Sequence, residues 1–224
     1  MPILPGGPIV FPDPNEADEE GLLAIGGDLS SERLLAAYDR GIFPWYDDGF
    51  PPLWWSPDPR AVIERSELHV SRSLRRVLRQ GRFTVTFDRA FEDVMRACGD
   101  REAGTWILPE MIDAYVALHR AGHAHSFEVW DDQGLAGGLY GVHRGALFAA
   151  ESMFHRRTDA SKVALVHAVA TAFAAGIELF DVQLMTPHLA SMGAIEISRA
   201  EYVARVREAS RRVVRFSDPR LCWE

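Results

Sequence analysis

The chain has 224 residues, 47% hydrophobic and 25% charged, an ordinary soluble globular composition with room for one sizeable core or a domain plus a small companion. Its formal net charge of -8 excludes a protein that coats nucleic acid through a global positive field, so any RNA contact must come from a local basic patch. Two cysteines, Cys98 and Cys222, make no disulfide framework and point to a reducing cytoplasm; the N-terminus is acidic and proline-rich rather than leader-like, and the longest apolar stretch, Val163 to Ala175, is too short to span a bilayer.

In chain order, the first sixty residues are rich in Gly, Pro and Trp and carry one clear helix. Asp28 or Ser30 caps it, Leu34, Leu35 and Tyr38 form its apolar side, and Gly41 ends it. The flanking segments 21–28, 41–45 and 54–60 read as irregular but aromatic enough to pack. Beyond Val62 the pattern becomes regular. A helix over 71–79 ends at Gly81, a strand covers 83–87, Asp88 caps a helix to about Cys98, and Pro109 opens a further helix that closes at Gly122. Three strands follow at 125–130, 135–142 and 146–154, linked by hairpin turns at 131–134 and 143–145. Asp159 or Ser161 begins a long helix closed by Gly176. After it come a strand (178–183), a short helix (about 187–192), a strand (194–198) and a last helix from Arg199 to about Arg215.

That order predicts an α+β protein: a small N-terminal domain, residues 1–61, and an acetyltransferase-like domain with a central mixed sheet, residues 62–224. A coenzyme A-dependent enzyme of that fold needs a glycine-rich turn before the long helix, where backbone N–H groups hold the pyrophosphate. Residues 154–161 contain no glycine, so coenzyme A is a poor donor and no cofactor is expected.

Three groups of residues bear on chemistry. Arg72, Arg75, Arg76 and Arg79 recur at helical spacing, opposite Val70, Leu74, Val77 and Leu78. With no acid inside this helix, a phosphate backbone is the natural partner, against the plainer reading of a solvated charged face. The C-terminal arginines, interleaved with Glu201 and Glu208, read as such a face. Trp45 and Trp106 lie in Pro- or Gly-flanked segments and are better pocket candidates than Trp54, Trp55, Tyr115 or Phe148, although aromatics are more often core. His119, His123 and His125 are spaced a little like metal ligands, but Gly122 breaks their helix and no metal is expected. Last, Glu151 closes one strand and Asp181 and Gln183 the next; strand alternation puts Asp181 and Gln183 on one face, with Glu151 able to meet them. Such a set orients and deprotonates an ammonium nucleophile, unless it is a buried polar network holding the strands apart.

Long strings across the chain then supply a resemblance: Gly21 to Ser30 (GLLAIGGDLS), Gly41 to Trp45 (GIFPW), Trp54 to Arg60 (WWSPDPR), Gly104 to Ile107 (GTWI), Gly122 to Ser126 (GHAHS), Gly137 to Gly141 (GGLYG), Glu151 to Phe154 (ESMF), Ala160 to Lys162 (ASK) and His188 to Gly193 (HLASMG). Together they resemble the leucyl/phenylalanyl-tRNA–protein transferases over nearly the whole length. The resemblance implies a monomeric cytoplasmic enzyme that takes Leu, Phe or Met from aminoacyl-tRNA and attaches it to proteins with N-terminal Arg or Lys, marking them for degradation. It implies that Trp45, Trp106, Tyr115 and Phe148 line or border the pocket for the donor side chain and terminal adenosine. Glu151, Asp181 and Gln183 would form the reaction centre, with Asp181 as base or orienting group. Where the family commonly has Cys, this chain has Val182, which argues against a thiol intermediate and for direct attack of the acceptor amine. Two other readings stay open: a coenzyme A-dependent acetyltransferase and a non-catalytic module that binds aminoacyl-tRNA or peptide N-termini.

Overall fold

The computed structural model describes residues 2–101 and 104–216. The N-terminal region holds a small sheet of β1 (Ile3–Leu4), β2 (Leu22–Gly26), β3 (Phe43–Pro44) and β4 (Leu53–Trp55), in the order β1-β2-β4-β3, with α1 (Ser31–Tyr38) beside it. The segments expected to be irregular therefore contain strands. What organises them is Trp54, fully buried, with its indole Nε1 donating to the Gly26 carbonyl at 2.8 Å. A buried Trp removes roughly 200 Å² from water, worth up to about 5 kcal/mol, enough to hold short strands that propensity alone would not. Ser30 is the cap of α1, its hydroxyl accepting from the Arg33 N–H, while Asp28 pairs with the Arg33 guanidinium at 3.3 Å.

The main sheet has seven strands in the order β11-β5-β10-β9-β8-β7-β6. Its members are β5 (Arg60–Ile63), β6 (Thr84–Phe87), β7 (Ala124–Asp131), β8 (Gly134–Arg144), β9 (Leu147–His155), β10 (Leu179–Gln183) and β11 (Ala194–Ile197). The expected domain boundary at residues 61 and 62 falls inside β5. Neighbours run antiparallel except β9 and β10, which are parallel over only Leu179↔Leu147, Phe180↔Phe148 and Asp181↔Ala149. Beyond those pairs the two strands part.

Helices cover both faces. On one side α5 (Ala160–Ala175) packs against β7, β8 and β9, with α2 (Arg72–Arg79) beside it. Buried on nearly every side, α5 carries little amphipathic pattern. On the other side lie α3 (Phe91–Gly99) and α4 (Pro109–Arg120), whose core continues into the N-terminal sheet. The short α6 (Pro187–Ser191) precedes β11, and α7 (Arg199–Ala209) packs on β10. It stops at Ser210, short of the expected Arg215.

One expected cap is corrected. Asp88 does not cap α3: it stands at φ 56°, accepts from the Ser126 N–H at 2.9 Å and meets His125 Nδ1 at 2.7 Å. The free N–H groups of Arg89 and Ala90 reach across to the buried carboxylate of Glu128 on β7 instead, at 3.2 and 3.3 Å. A carboxylate from a neighbouring strand thus holds the turn that leads into α3, whose N-cap position, Ala90, has no side-chain cap. His119, bonded through Nδ1 to the Ala124 carbonyl, stacks on Phe91. Among the described residues no group of three His, Cys, Asp or Glu side chains is arranged to hold a metal ion, and no helix is long and apolar enough to cross a membrane.

Candidate active site

The gap between the diverging ends of β9 and β10 opens into a cavity of about 390 Å³. Trp45, Trp106, Glu151, Val182 and Gln183 line it, together with Phe43, Pro44 and the polar side chains of Arg101, Ser152 and Thr186. A smaller apolar recess of about 70 Å³ leads inward between Leu139, Leu165, Val182 and Leu189, with Glu151 on its wall. A larger cavity, about 530 Å³, lies elsewhere, between α2 and the C-terminal half of α5. It shares no lining residue with the gap.

Two irregularities in the sheet aim the side chains into this gap. On β9 the pairing with β8 slips between Tyr140 opposite Ser152 and Gly141 opposite Ala150, which makes Glu151 an extra residue. On β10 the pairing with β5 slips between Asp181 opposite Val62 and Gln183 opposite Ala61, which makes Val182 extra. Such bulges re-aim side chains, and here they defeat simple alternation. Val182 and Gln183 both face the cavity, and Gln183 adopts φ 64°, a conformation that is strained for a residue with a Cβ.

Asp181 therefore does not share Gln183's outlook. Fully buried, its Oδ1 accepts from Arg60 Nε at 2.9 Å and from the Gln183 N–H at 2.9 Å, and its Oδ2 accepts from Arg60 Nη2 at 2.6 Å and the Tyr202 hydroxyl at 2.8 Å. Arg60 is sandwiched between the rings of Phe43 and Tyr202 and donates to the Gly41 carbonyl at 3.3 Å. Gly41, at φ 78°, has no room for a side chain, because a Cβ would stand 2.8 Å from the Tyr202 ring. Burial works against the Arg60 charge, but Asp181 outweighs it and holds the guanidinium protonated above its ordinary range.

Glu151 faces the cavity beside this ion pair. Its Oε1 accepts from Gln183 Nε2 at 2.7 Å, while Oε2 is buried with no hydrogen-bond partner. Burial pushes its pKa up to about 7, with the Asp181 charge adding to the rise; the nearby Tyr38 hydroxyl, the Gln183 amide and the Arg60 charge pull the other way. A carboxylate that lines the cavity and changes charge near neutrality is fitted to exchange a proton with a bound amine.

The sequence-predicted residues divide accordingly. Trp45 and Trp106 meet Glu151 and Gln183 at the cavity. Tyr115 and Phe148 are fully buried and line neither hollow. The Tyr115 hydroxyl bonds the Tyr38 hydroxyl at 2.6 Å behind Glu151, and Phe148 packs among Phe127, Phe180 and Phe216. Both are kept from solvent because the sheet and helices close over them, which sequence spacing cannot reveal. Arg72, Arg75, Arg76 and Arg79 line a separate shallow hollow on α2, and among the described residues none of them forms an ion pair. By contrast Arg205, Arg211 and Arg212 pair with Glu64, Glu208 and Glu178 respectively, as a solvated face does. Sequence reasoning missed Arg60, Tyr202, Tyr38 and Arg101. The only advance signal was that Arg60 ends the string WWSPDPR and Arg101 stands three positions before the start of GTWI.

Comparison with known proteins covers most of the chain. A family model described as leucyl/phenylalanyl-tRNA protein transferase matches residues 62–207, and a model of that family's N-terminal domain matches residues 27–58. A protein named leucyl/phenylalanyl-tRNA–protein transferase from Anaeromyxobacter sp. (strain Fw109-5) is 59% identical over 205 residues, 90% of this chain and 87% of that one. A protein of the same name from Syntrophobacter fumaroxidans is 56% identical over 204 residues, 89% and 87% of the two chains. Among solved structures, L-PGS from Bacillus licheniformis superposes with a TM-score of 0.42 at 11% identity, covering 75% of this chain and 57% of that one.

Proposed function

The chain belongs to the leucyl/phenylalanyl-tRNA–protein transferase family, and from that membership we propose that it moves Leu or Phe from aminoacyl-tRNA onto proteins with N-terminal Arg or Lys by direct attack of the acceptor α-amine. The observation that carries the mechanism is the Glu151–Gln183 pair at the mouth of a cavity walled by Trp45 and Trp106. The apolar recess beside Leu139, Leu165 and Leu189 takes the donor side chain, and the two tryptophans border the terminal adenosine. Phe148 and Tyr115 back the site from the core rather than touching the donor.

In this reading the amine nitrogen bonds to the ester carbonyl carbon and passes its proton to the Glu151 carboxylate. The tetrahedral intermediate then collapses to a peptide bond, and the ribose oxygen leaves with a proton. An aminoacyl ester is already activated, so positioning matters more than a strong nucleophile. Asp181, with both oxygens engaged, is a positioning residue: it fixes the Gln183 backbone and, through Arg60, ties β10 to the N-terminal region. The unpaired arginines of α2 hold tRNA phosphates. The family's acetyltransferase-like architecture, the division into domains near residue 61, a monomeric state and a cytoplasmic location complete the proposal. The test is transfer of radiolabelled leucine from Leu-tRNA to a peptide beginning with Arg, beside one beginning with Gly. Labelling of the Arg peptide alone is expected; labelling of neither, with tRNA still bound, would make the protein a binding module.

A further inference from the structure

We propose that Arg101 is a second positioning residue, whose guanidinium receives the phosphate on the 5′ side of the terminal nucleotide and thereby sets the aminoacyl ester against Glu151; this rests on the transfer reading above. Arg101 is the one cationic side chain among the described residues lining the cavity between β9 and β10. Two neutral acceptors hold it: its Nε donates to the Cys98 carbonyl at 2.9 Å and its Nη2 to the Ser152 hydroxyl at 2.8 Å.

No carboxylate pairs with it among the described residues, whereas Arg33, Arg60, Arg144 and Arg205 each have one. The guanidinium is thus fixed in direction with its charge uncompensated and further N–H groups free, the state suited to accepting an oxyanion. Its second anchor, Ser152, adjoins Glu151 on β9, so the bound anion would stand close to the reacting centre. The donor offers one group that fits. The ester and adenosine are uncharged, and the nearest negative charge lies one ribose away, at the 5′ phosphate. The arginines of α2 line separate hollows and leave this charge to Arg101.

The plainer role, closing the C-terminal end of α3 through the Cys98 carbonyl, predicts a different outcome. Calorimetric titration with 3′-leucylamido-3′-deoxyadenosine and with its 5′-phosphate separates the two. The wild type is expected to bind the phosphorylated analogue more tightly by about tenfold or more, as a charge-assisted contact gives. Arg101→Gln should bring that ratio below about three by weakening the phosphorylated analogue, and Arg101→Lys should restore part of it. Equal weakening of both analogues, or a wild type that does not distinguish them, overturns the proposal. If the wild type fails to transfer from Leu-tRNA at all, the transfer reading is what fails; if it transfers but ignores the 5′ phosphate, only the role of Arg101 does.

Discussion

Replacing Glu151 with Gln separates its chemistry from its packing. The variant keeps side-chain length and leaves an amide oxygen to accept the 2.7 Å bond from Gln183, but it removes the proton acceptor. General-base assistance is worth roughly 10²–10⁴ in rate, so kcat/KM for an Arg-peptide should fall by that much. The pH profile gives the finer test. A base must be ionised, so wild-type kcat/KM rises with pH through the Glu151 pKa of about 7. In the variant the rise should follow only the acceptor α-amine, at about 7.7–8.0. Stability moves the opposite way. Because folding raises the Glu151 pKa from 4.5 to about 7, its contribution is fully present below 4.5 and is lost as pH climbs through 7. At about 1.4 kcal/mol per pKa unit the loss is roughly 3 kcal/mol, and the Gln variant escapes it. Urea denaturation at matched pH values should therefore show the variant gaining on the wild type as pH rises. Transfer within threefold of wild type, with an unmoved pH limb, would refute Glu151 as the base.

Asp181→Asn leaves the Arg60 charge buried without its partner; breaking such a pair costs about 3–5 kcal/mol, so the denaturation midpoint should drop along with the transfer rate, while aminoacyl-tRNA affinity changes little. Wild-type stability would mean that Arg60 finds another partner. Arg75→Ala combined with Arg76→Ala should weaken tRNA binding and reduce the slope of log affinity against log salt by about two, with no dependence on tRNA sequence; an unchanged slope would return α2 to an ordinary solvated face. Val182→Cys, at a position lining both hollows, should leave kcat within about threefold, since a volume-conserving apolar change costs little. A large gain in rate, abolished by an alkylating agent, would instead argue for a thiol route.

Most of the main sheet and its helices was legible in the sequence, because capping residues, hairpin glycines and apolar periods act over a few neighbours. Ser71 caps α2, Pro109 opens α4 and Gly176 closes α5, each where local rules put it. The strings around Glu151 and Trp45 identified the family without any coordinate. What the sequence could not settle depends on partners distant along the chain. The strands of the N-terminal region exist because Trp54 is buried against Gly26, 28 residues away. Glu128, 38 residues from Ala90, holds the turn that leads into α3. Alternation placed Asp181 and Gln183 side by side, but a bulge at Val182 and an arginine 121 residues away turn Asp181 into the interior and leave Glu151 and Gln183 at the cavity. The order of a strand is written in its own residues; which of its carboxylates remains free for chemistry is decided only when the rest of the chain has claimed the others.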